Sequence, residues 1–264
     1  MTILEFFLLL AAGAVAGIGA GLLGIGGGLV LVPALSWILQ SAGVPLHQAV
    51  TMAVATALAI ILLSSLSSLW AHHRRGAVDW ATLRLMAPWI ILGAAAGSYA
   101  ATVIGGAWLA RLFAVFALVV AWRMWRQQQV QRYQANGLRW PRQVAFYGGM
   151  ISAMLGIGGG SINVPYLTWS GLRINRAVAT SAGLGYPIAL AGSISFLALG
   201  WSLSLPVAHW GYIYWPGWMI CSVASVALAP VGAALAHRWP GHWVARIFAG
   251  LLTIVAVRML FNSF

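Results

Sequence analysis

Two identical glycine-rich segments contain the residues of this chain best suited to chemistry, namely the binding of an anion. Residues 24–28 and 156–160 both have the sequence Gly-Ile-Gly-Gly-Gly, and an apolar stretch follows each of them. A helix that begins after such a run leaves its first backbone N–H groups unpaired at the positive end of the helix dipole, where anions bind. The predicted anion-binding residues are Gly26, Gly27, Gly28 and Leu29 in the first segment, and Gly158, Gly159, Gly160 and Ser161 in the second.

The side chains that follow the two glycine runs differ in polarity. Ser161 and Asn163 can donate further hydrogen bonds, whereas the corresponding Leu29 and Leu31 are apolar. The polar side of the site is therefore expected from the second half of the chain. The alternative is that the glycines only allow helices to approach closely. That role is expected for Gly13, Gly17, Gly21, Gly93 and Gly97, but it would not require three consecutive glycines twice.

The charged residues exclude most enzyme classes. The 264 residues include 14 arginines, no lysine and only two carboxylates, Glu5 and Asp79. Paired-acid hydrolysis and carboxylate-bound metals need more acids, and the single Cys221 excludes a cysteine-rich metal site. We therefore predict no catalytic residue, no metal and no cofactor. Asp79 is expected to cap a helix that starts near Trp80, which leaves no acid in the membrane interior to bind a cationic substrate.

The composition predicts an integral membrane protein. Hydrophobic residues make up 62% of the chain and charged residues 6%, against about 25% charged residues in a soluble domain. One span needs about 20 apolar residues, and such runs occur at residues 48–70, 82–104, 108–125, 176–200, 212–236 and 243–262. Two further apolar segments, residues 4–40 and 142–170, are each interrupted by a glycine run. Glu5 stands where a secretory signal would carry Lys or Arg, so residues 4–23 are expected to be retained as a span.

An internal repeat divides the chain into two halves. Residues 23–28 match residues 155–160 at an offset of 132. Residues 76–80 resemble residues 211–215 at an offset of 135. The predicted organisation is a first transmembrane repeat over residues 1–125, an arginine-rich cytoplasmic linker over residues 126–141, and a second transmembrane repeat over residues 142–264.

The arginines predict that the two halves have opposite orientations. The connection at residues 41–47 has no arginine, while its equivalent at 171–176 has two. The connection at 71–84 has three, while its equivalent at 201–211 has none. Because arginine-rich connections face the cytoplasm, equivalent connections are expected on opposite sides of the membrane, as in inverted-topology repeats.

Inversion makes each glycine-broken segment a re-entrant hairpin with the glycine run at its tip. The short arms, residues 29–40 and 161–170, then return to the side from which the chain came. The alternative is a through-span with an unwound middle, which gives eight crossings and parallel halves. In both cases protein or a water-filled cavity must surround the broken backbone, so the glycine runs are expected to meet in the interior. The predicted fold is an all-α polytopic membrane protein of two homologous halves, each with one glycine-broken segment and three transmembrane helices.

Three motifs resemble those of the TauE/SafE family of sulfite exporter-like permeases. They are the Leu-Gly-Ile-Gly-Gly-Gly-x4-Pro blocks at residues 23–33 and 155–165, Ala-Val-Ala-Thr-Ser at 177–181, and His-Arg-Arg-Gly-Ala-Val-Asp-Trp at 73–80. The resemblance covers essentially the whole chain. It implies a multi-pass permease of the bacterial inner membrane that moves small sulfur-containing anions, such as sulfite or organosulfonates, usually outward.

The resemblance also implies two further substrate-binding residues. The family's Thr-Ser pair is matched by Thr180 and Ser181. At an offset of 128, which aligns Ala49-Val50 with Ala177-Val178, the first half has Met52 and Ala53 in place of that pair. This alignment again assigns recognition to the second half.

The predicted function is the export of a small sulfur-containing anion that is held at the glycine breaks near the membrane midplane. Alternatives are a passive anion channel and, from another class, an intramembrane enzyme or sensor. Candidates for gating or proton coupling are His47, Tyr186 and Pro187. The expected partners are the anionic substrate and the lipid bilayer, and a homo-oligomer is left open. Nucleic acid is not expected, because the arginines are scattered at the ends of apolar runs.

Overall fold

The structure, a computed structural model, describes residues 3–23, 27–126, 137–235 and 241–262. Within them the chain forms the helices α1 (Ile3–Leu23), α2 (Gly28–Ser41), α3 (Leu46–His73), α4 (Trp80–Ile104), α5 (Gly106–Arg126), α6 (Pro141–Met154), α7 (Gly160–Trp169), α8 (Ile174–Leu199), α9 (Trp215–Leu235) and α10 (Gly241–Asn262). A short hairpin of β1 (His209–Trp210) and β2 (Ile213–Tyr214) lies between α8 and α9. Gly26 of the predicted anion site and residues 127–136 of the predicted linker lie outside the described residues.

Six of the described helices are long and apolar enough to cross a membrane. These stretches are Ile3–Gly21, Leu46–His73, Trp80–Ile104, Gly106–Trp125, Ile174–Leu199 and Trp215–Gly232. The predicted multi-pass, all-α membrane protein is therefore confirmed. The run predicted from residue 212 starts later, at Trp215, because Ile213 and Tyr214 pair with β1 instead of joining the helix. The predicted run at 243–262 is covered by α10.

Neither helix beside the second glycine run is long enough to cross a bilayer. α6 has 14 residues and α7 has 10, which gives lengths of about 21 Å and about 15 Å against about 30 Å of hydrocarbon. Near the end of α7, the Tyr166 hydroxyl donates a hydrogen bond of 2.9 Å to the carbonyl oxygen of Arg139, just before α6. α7 therefore returns to the end of the bundle where α6 begins, as a re-entrant hairpin requires.

Small residues line the contacts of α1 with α9 and of α4 with α6, as expected for close helix pairs in membranes. A Cβ on Gly13 would lie 2.6 Å from the carbonyl oxygen of Cys221, and one on Gly17 would lie 2.7 Å from the Cα of Ser225. A step of four residues along α1 thus matches a step of four residues along α9 in the same direction, so the two helices are parallel. A Cβ on Gly93 or Gly97 would come even closer to the backbone of α6, at Phe146 and Met150.

The first glycine-broken segment also turns back on itself. α9 is parallel to α3, since Trp218 donates to the carbonyl oxygen of Ala59, and Ser67 donates to that of Val226. α1, α3 and α9 therefore share one direction. α2 ends at Ser41, and only the short connection before α3 follows it, so α2 ends where α3 begins. That is also the end of the bundle where α1 begins.

α3 and α8 form the antiparallel centre of the bundle. Leu69 lies opposite Gly183, whereas Leu58 lies opposite Gly192. Of the apolar stretch of α3, 83% is buried inside the protein, against 33–56% for the other five candidate spans. The helix contacts repeat when the two halves are exchanged. The contact of α1 with α9 corresponds to that of α4 with α6, and the contact of α2 with α3 corresponds to that of α7 with α8. The antiparallel directions of equivalent helices agree with inverted repeats, and the orientation of each half in the membrane stays a prediction.

We expect cysteine labelling to separate inverted from parallel halves. Ser41 and Asn175 follow the short arms of the two halves, and both are exposed. Each is changed to Cys in a Cys221→Ala background, which removes the native buried thiol. In intact cells, a membrane-impermeant maleimide should label Ser41→Cys but reach Asn175→Cys only after permeabilisation, because Arg173 and Arg176 hold their connection in the cytoplasm.

The Cys221→Ala protein without an added cysteine is the control and should remain unlabelled. Labelling of both positions from the same side of the membrane would contradict inversion.

Candidate functional site

The two glycine breaks touch each other at the centre of the protein. A Cβ on Gly28 would collide with the carbonyl oxygen of Gly156 and lie 3.0 Å from the Cα of Ile157. A Cβ on Gly156 would lie 2.8 Å from Val32 and 3.0 Å from the Cα of Val54 in α3. Side chains larger than hydrogen do not fit between these backbones. The described parts of the two breaks are thus enclosed by protein, the environment that broken backbone needs in a membrane.

The second break ends one helix and starts the next with little unpaired backbone. The N–H of Ile157 donates to the carbonyl oxygen of Ser152 at 2.9 Å, which closes the end of α6. Gly159 then caps α7 with a φ of 75°, a left-handed conformation that favours glycine. The N–H groups of Gly160 and Ser161 come next, and helix geometry leaves both without an intrahelical acceptor.

Three polar side chains surround this start of α7. Asn163 is 1% exposed and Ser152 is fully buried. The side-chain polar atoms of Asn163, Ser152 and Ser161 have no hydrogen-bond partner among the described residues. A Cβ on Gly159 would lie 2.9 Å from Asn163 Nδ2 and 3.6 Å from Ser152 Oγ, so these two groups converge on the bare backbone of Gly159. The Cδ1 atom of Ile188 in α8 covers the same position and would collide with that Cβ. We call Ser152, Gly160, Ser161 and Asn163 the donor cluster.

Sequence reasoning names Gly160, Ser161 and Asn163 but misses Ser152. This residue lies in the last turn of α6, before the glycine run, and reaches the donor cluster because the chain folds back on itself. A serine in the turn that precedes a helix break is the signal that could have found it.

The first break presents no comparable cluster in its described part. Gly27 caps α2 with a φ of 59°, and the N–H groups of Gly28 and Leu29 are the ones left free by helix geometry. The side chains of Leu29 and Leu31 are buried and apolar. Among the described residues at the two breaks, the side chains that can donate hydrogen bonds therefore belong to the second half.

Thr180 lies at a contact between the halves. Its Oγ1 accepts a hydrogen bond of 3.0 Å from the backbone N–H of Asp79. Asp79 in turn caps α4 by accepting from the N–H of Thr82, as predicted. In the other half, Thr56 Oγ1 accepts a hydrogen bond of 2.9 Å from the backbone N–H of Tyr214. The two threonines thus make equivalent contacts to the segments that lead into α4 and α9.

These contacts correct the alignment of the repeats. Residues 53–56 and 177–180 both read Ala-Val-Ala-Thr, at an offset of 124. The counterparts of Thr180 and Ser181 are therefore Thr56 and Ala57, and the assignment of Met52 and Ala53 is wrong. Both halves therefore have the threonine, and only the second half has the serine. Ser181 is fully buried, and its hydroxyl has no partner among the described residues.

The three gating candidates lie at two different places, one in α3 and one in α8. His47 is exposed in the first turn of α3, where its backbone meets Gly106 of α5; it is two turns from Val54, the α3 residue that meets the glycine break. Tyr186 is partly buried, and Pro187 is buried within α8, which continues through it as one helix. Proline has no N–H, so the preceding turn of α8 lacks one hydrogen bond at this point.

A narrow cavity lies beside the second break, between α1, α3 and α8. It has room for about one water molecule. Its lining residues are Ala20, Ile61, Ser64, Ser65, Ser68, Gly158, Ala182 and Gly185. In the part of the chain that the structure describes, no group of three or more His, Cys, Asp or Glu residues could hold a metal ion.

The geometry of two touching glycine breaks agrees with the comparison with known families. The family of Sulfite exporter TauE/SafE matches residues 9–259. This chain belongs to that family. The match extends through both halves, so both glycine breaks lie within it.

Relatives of the chain share most of its length. A probable membrane transporter protein of Haemophilus influenzae is 33% identical over 256 residues, which cover 96% of this chain and 97% of the relative. One from Methanocaldococcus jannaschii is 27% identical over 85% of this chain and 81% of its own. YunE of Bacillus subtilis, also named a probable membrane transporter, is 24% identical over 98% and 99%. No solved structure is significantly similar. The chain is thus a membrane transporter of the TauE/SafE type.

We expect Thr180→Val to destabilise the protein, because the partly buried N–H of Asp79 loses its acceptor. The free energy of unfolding should fall by about 1–3 kcal/mol, and Thr180→Ser should restore it. Thr56→Val should have a similar effect through Tyr214. The measurement is chemical unfolding in mixed micelles, followed by tryptophan fluorescence.

The matched control is Thr102→Val, since the Thr102 hydroxyl only donates to Tyr99 within its own exposed turn. A Thr180→Val protein of unchanged stability that no longer binds substrate would instead make Thr180 a substrate contact.

Proposed function

We propose that this protein is a carrier of the bacterial inner membrane that exports small sulfur-containing anions such as sulfite or organosulfonates. The observation that supports the proposal most strongly is the donor cluster at the start of α7. It joins the N–H groups of Gly160 and Ser161 to the buried side chains of Asn163 and Ser152. The family description, sulfite exporter, supports the substrate class and the direction of transport.

The chemistry of the donor cluster suits an oxyanion. A buried polar group without a partner costs about 1–3 kcal/mol, and an anion with three oxygens can accept hydrogen bonds from several donors at once. Hydrogen bonds to a charged acceptor are also stronger than neutral ones. The positive end of α7 adds a favourable field at the same position. Because the donors are uncharged, the anion can also leave, which a carrier requires.

The position of the donor cluster suits alternating access. Gly28 of the first half and Gly156 of the second half are in contact, so the cluster lies beside the boundary between the halves. Movement of one half or hairpin against the other would open this boundary to one side of the membrane at a time. Pro187 weakens α8 next to the break, and we expect α8 to bend there during the movement.

We expect flux of sulfite to depend on Asn163 and Ser152. The purified protein is reconstituted in liposomes loaded with sulfite, and efflux is followed after dilution. Asn163→Ala and Ser152→Ala should each reduce the initial rate at low sulfite by about tenfold or more, since a lost hydrogen bond to a charged group is worth about 1.5–3 kcal/mol. A carrier should also show faster efflux when sulfite is present outside, whereas a passive channel should not.

The matched control is Ser222→Ala. Ser222 is a buried serine of α9 whose hydroxyl also has no partner among the described residues, and it lies outside the donor cluster and the cavity. Its flux should equal that of the unchanged protein. Wild-type flux in Asn163→Ala and Ser152→Ala would move the site away from α7, and no flux of any sulfur anion would overturn the proposed substrate class.

A further inference from the structure

Two serines of the cavity beside Gly158 direct their hydroxyl protons at backbone carbonyls and present oxygen lone pairs to the cavity. The Ser64 hydroxyl donates to the carbonyl oxygen of Ile61 at 3.4 Å, and the Ser65 hydroxyl donates to that of Leu62 at 3.2 Å. A hydroxyl whose proton is used in this way retains two lone pairs as acceptors. The cavity therefore differs in kind from the donor cluster, in which N–H groups predominate.

A backbone carbonyl adds to these acceptors. A Cβ on Gly185 would lie 3.0 Å from the carbonyl oxygen of Gly158 and 3.7 Å from Ser65 Cβ. The Gly158 carbonyl and Ser65 thus both face the bare backbone of Gly185 on α8. One turn further along α3, Ser68 is 1% exposed, lines the cavity, and has a hydroxyl without a partner among the described residues.

We propose that this cavity binds a monovalent cation, Na⁺, through the carbonyl oxygen of Gly158 and the hydroxyl oxygens of Ser64, Ser65 and Ser68. Unwound backbone carbonyls at helix breaks hold Na⁺ in membrane carriers of several folds. The room for about one water molecule suits a dehydrated Na⁺ and is too small for sulfite. The cavity lining contains no carboxylate, and Mg²⁺ and Ca²⁺ are bound through carboxylates.

The cation site and the donor cluster are coupled by their position in the chain. Gly158 turns its carbonyl towards the cavity, and Gly160 and Ser161 follow immediately with N–H groups for the anion. Opposite charges a few ångströms apart in a protein interior attract strongly. Bound Na⁺ therefore raises the affinity for the anion, and the anion raises the affinity for Na⁺ by the same factor. This coupling is between the two binding affinities. It does not depend on whether the protein moves the anion inward or outward.

The first test measures Na⁺ binding without any sulfur anion. The protein in lipid nanodiscs is heated in NaCl, KCl or choline chloride of equal ionic strength. Of the three salts, only NaCl should raise the unfolding temperature, and its effect should saturate with concentration. Ser68→Ala should raise the half-saturating Na⁺ concentration about tenfold, the equivalent of one lost ligand. Gly185→Ala should abolish the response, because its Cβ fills the space between Gly158 and Ser65.

Two matched controls accompany these variants. Ser222→Ala removes a buried hydroxyl outside the cavity, and Gly250→Ala adds a Cβ that meets no atom within 4 Å. Both should keep the wild-type response to Na⁺. Equal stabilisation by all three salts, or a wild-type Na⁺ response in Ser68→Ala, would overturn the proposal. Should Gly185→Ala fail to fold, Ser68→Ala still decides.

The second test measures sulfite binding with and without Na⁺. Replacement of choline by Na⁺ should increase the affinity for sulfite in the unchanged protein and not in Ser68→Ala. Sulfite binding that is equally tight in both salts would overturn the coupling. Na⁺ binding without any sulfite binding would leave the cation site in place and count against the proposed substrate instead.

Discussion

A peptide backbone that breaks inside a membrane must be enclosed by protein, because lipid offers no partner for its polar groups. This constraint governs the rest of the structure. The two breaks enclose each other, with Gly28 against Gly156, and α3 covers them at Val54. α3 is accordingly the most buried of the candidate spans. The remaining long helices surround this centre, and glycine seams such as the one at Gly13 bring their backbones close enough to exclude lipid.

The arrangement of the helices is the same in the two halves, but the polar side chains at the two glycine breaks differ. The pairing of helices and the contacts of Thr56 and Thr180 repeat in both halves. The described polar groups at the centre do not repeat, since the start of α7 carries Asn163 where the start of α2 carries Leu31. Duplication explains the enclosure of the breaks, and divergence of a few side chains accounts for the site. One break can then serve as the binding element while the other completes its wall.

The sequence predicts the elements whose signals are local. Apolar runs, the second glycine break and the cap at Asp79 each depend on neighbouring residues, and the structure has them within a few residues of where they are expected. The register of the repeat at Thr56 is missed, because the offset between the halves changes from 132 at the breaks to 124 in α3 and α8. Ser152 and Ser68 are missed for another reason. A serine in an apolar helix has no periodic signal, and only the rotation of that helix against its neighbours decides what it faces.

The central claim is that an oxyanion binds at the start of α7, where the two breaks meet. Selenite, the selenium analogue of sulfite, tests it directly, since anomalous diffraction from crystals grown with selenite locates the selenium atom without assumptions about the protein. The account predicts one dominant site within hydrogen-bonding distance of Asn163, Ser152 and the N–H groups of Gly160 and Ser161. A dominant selenium site elsewhere, with the donor cluster free of selenium, would contradict it.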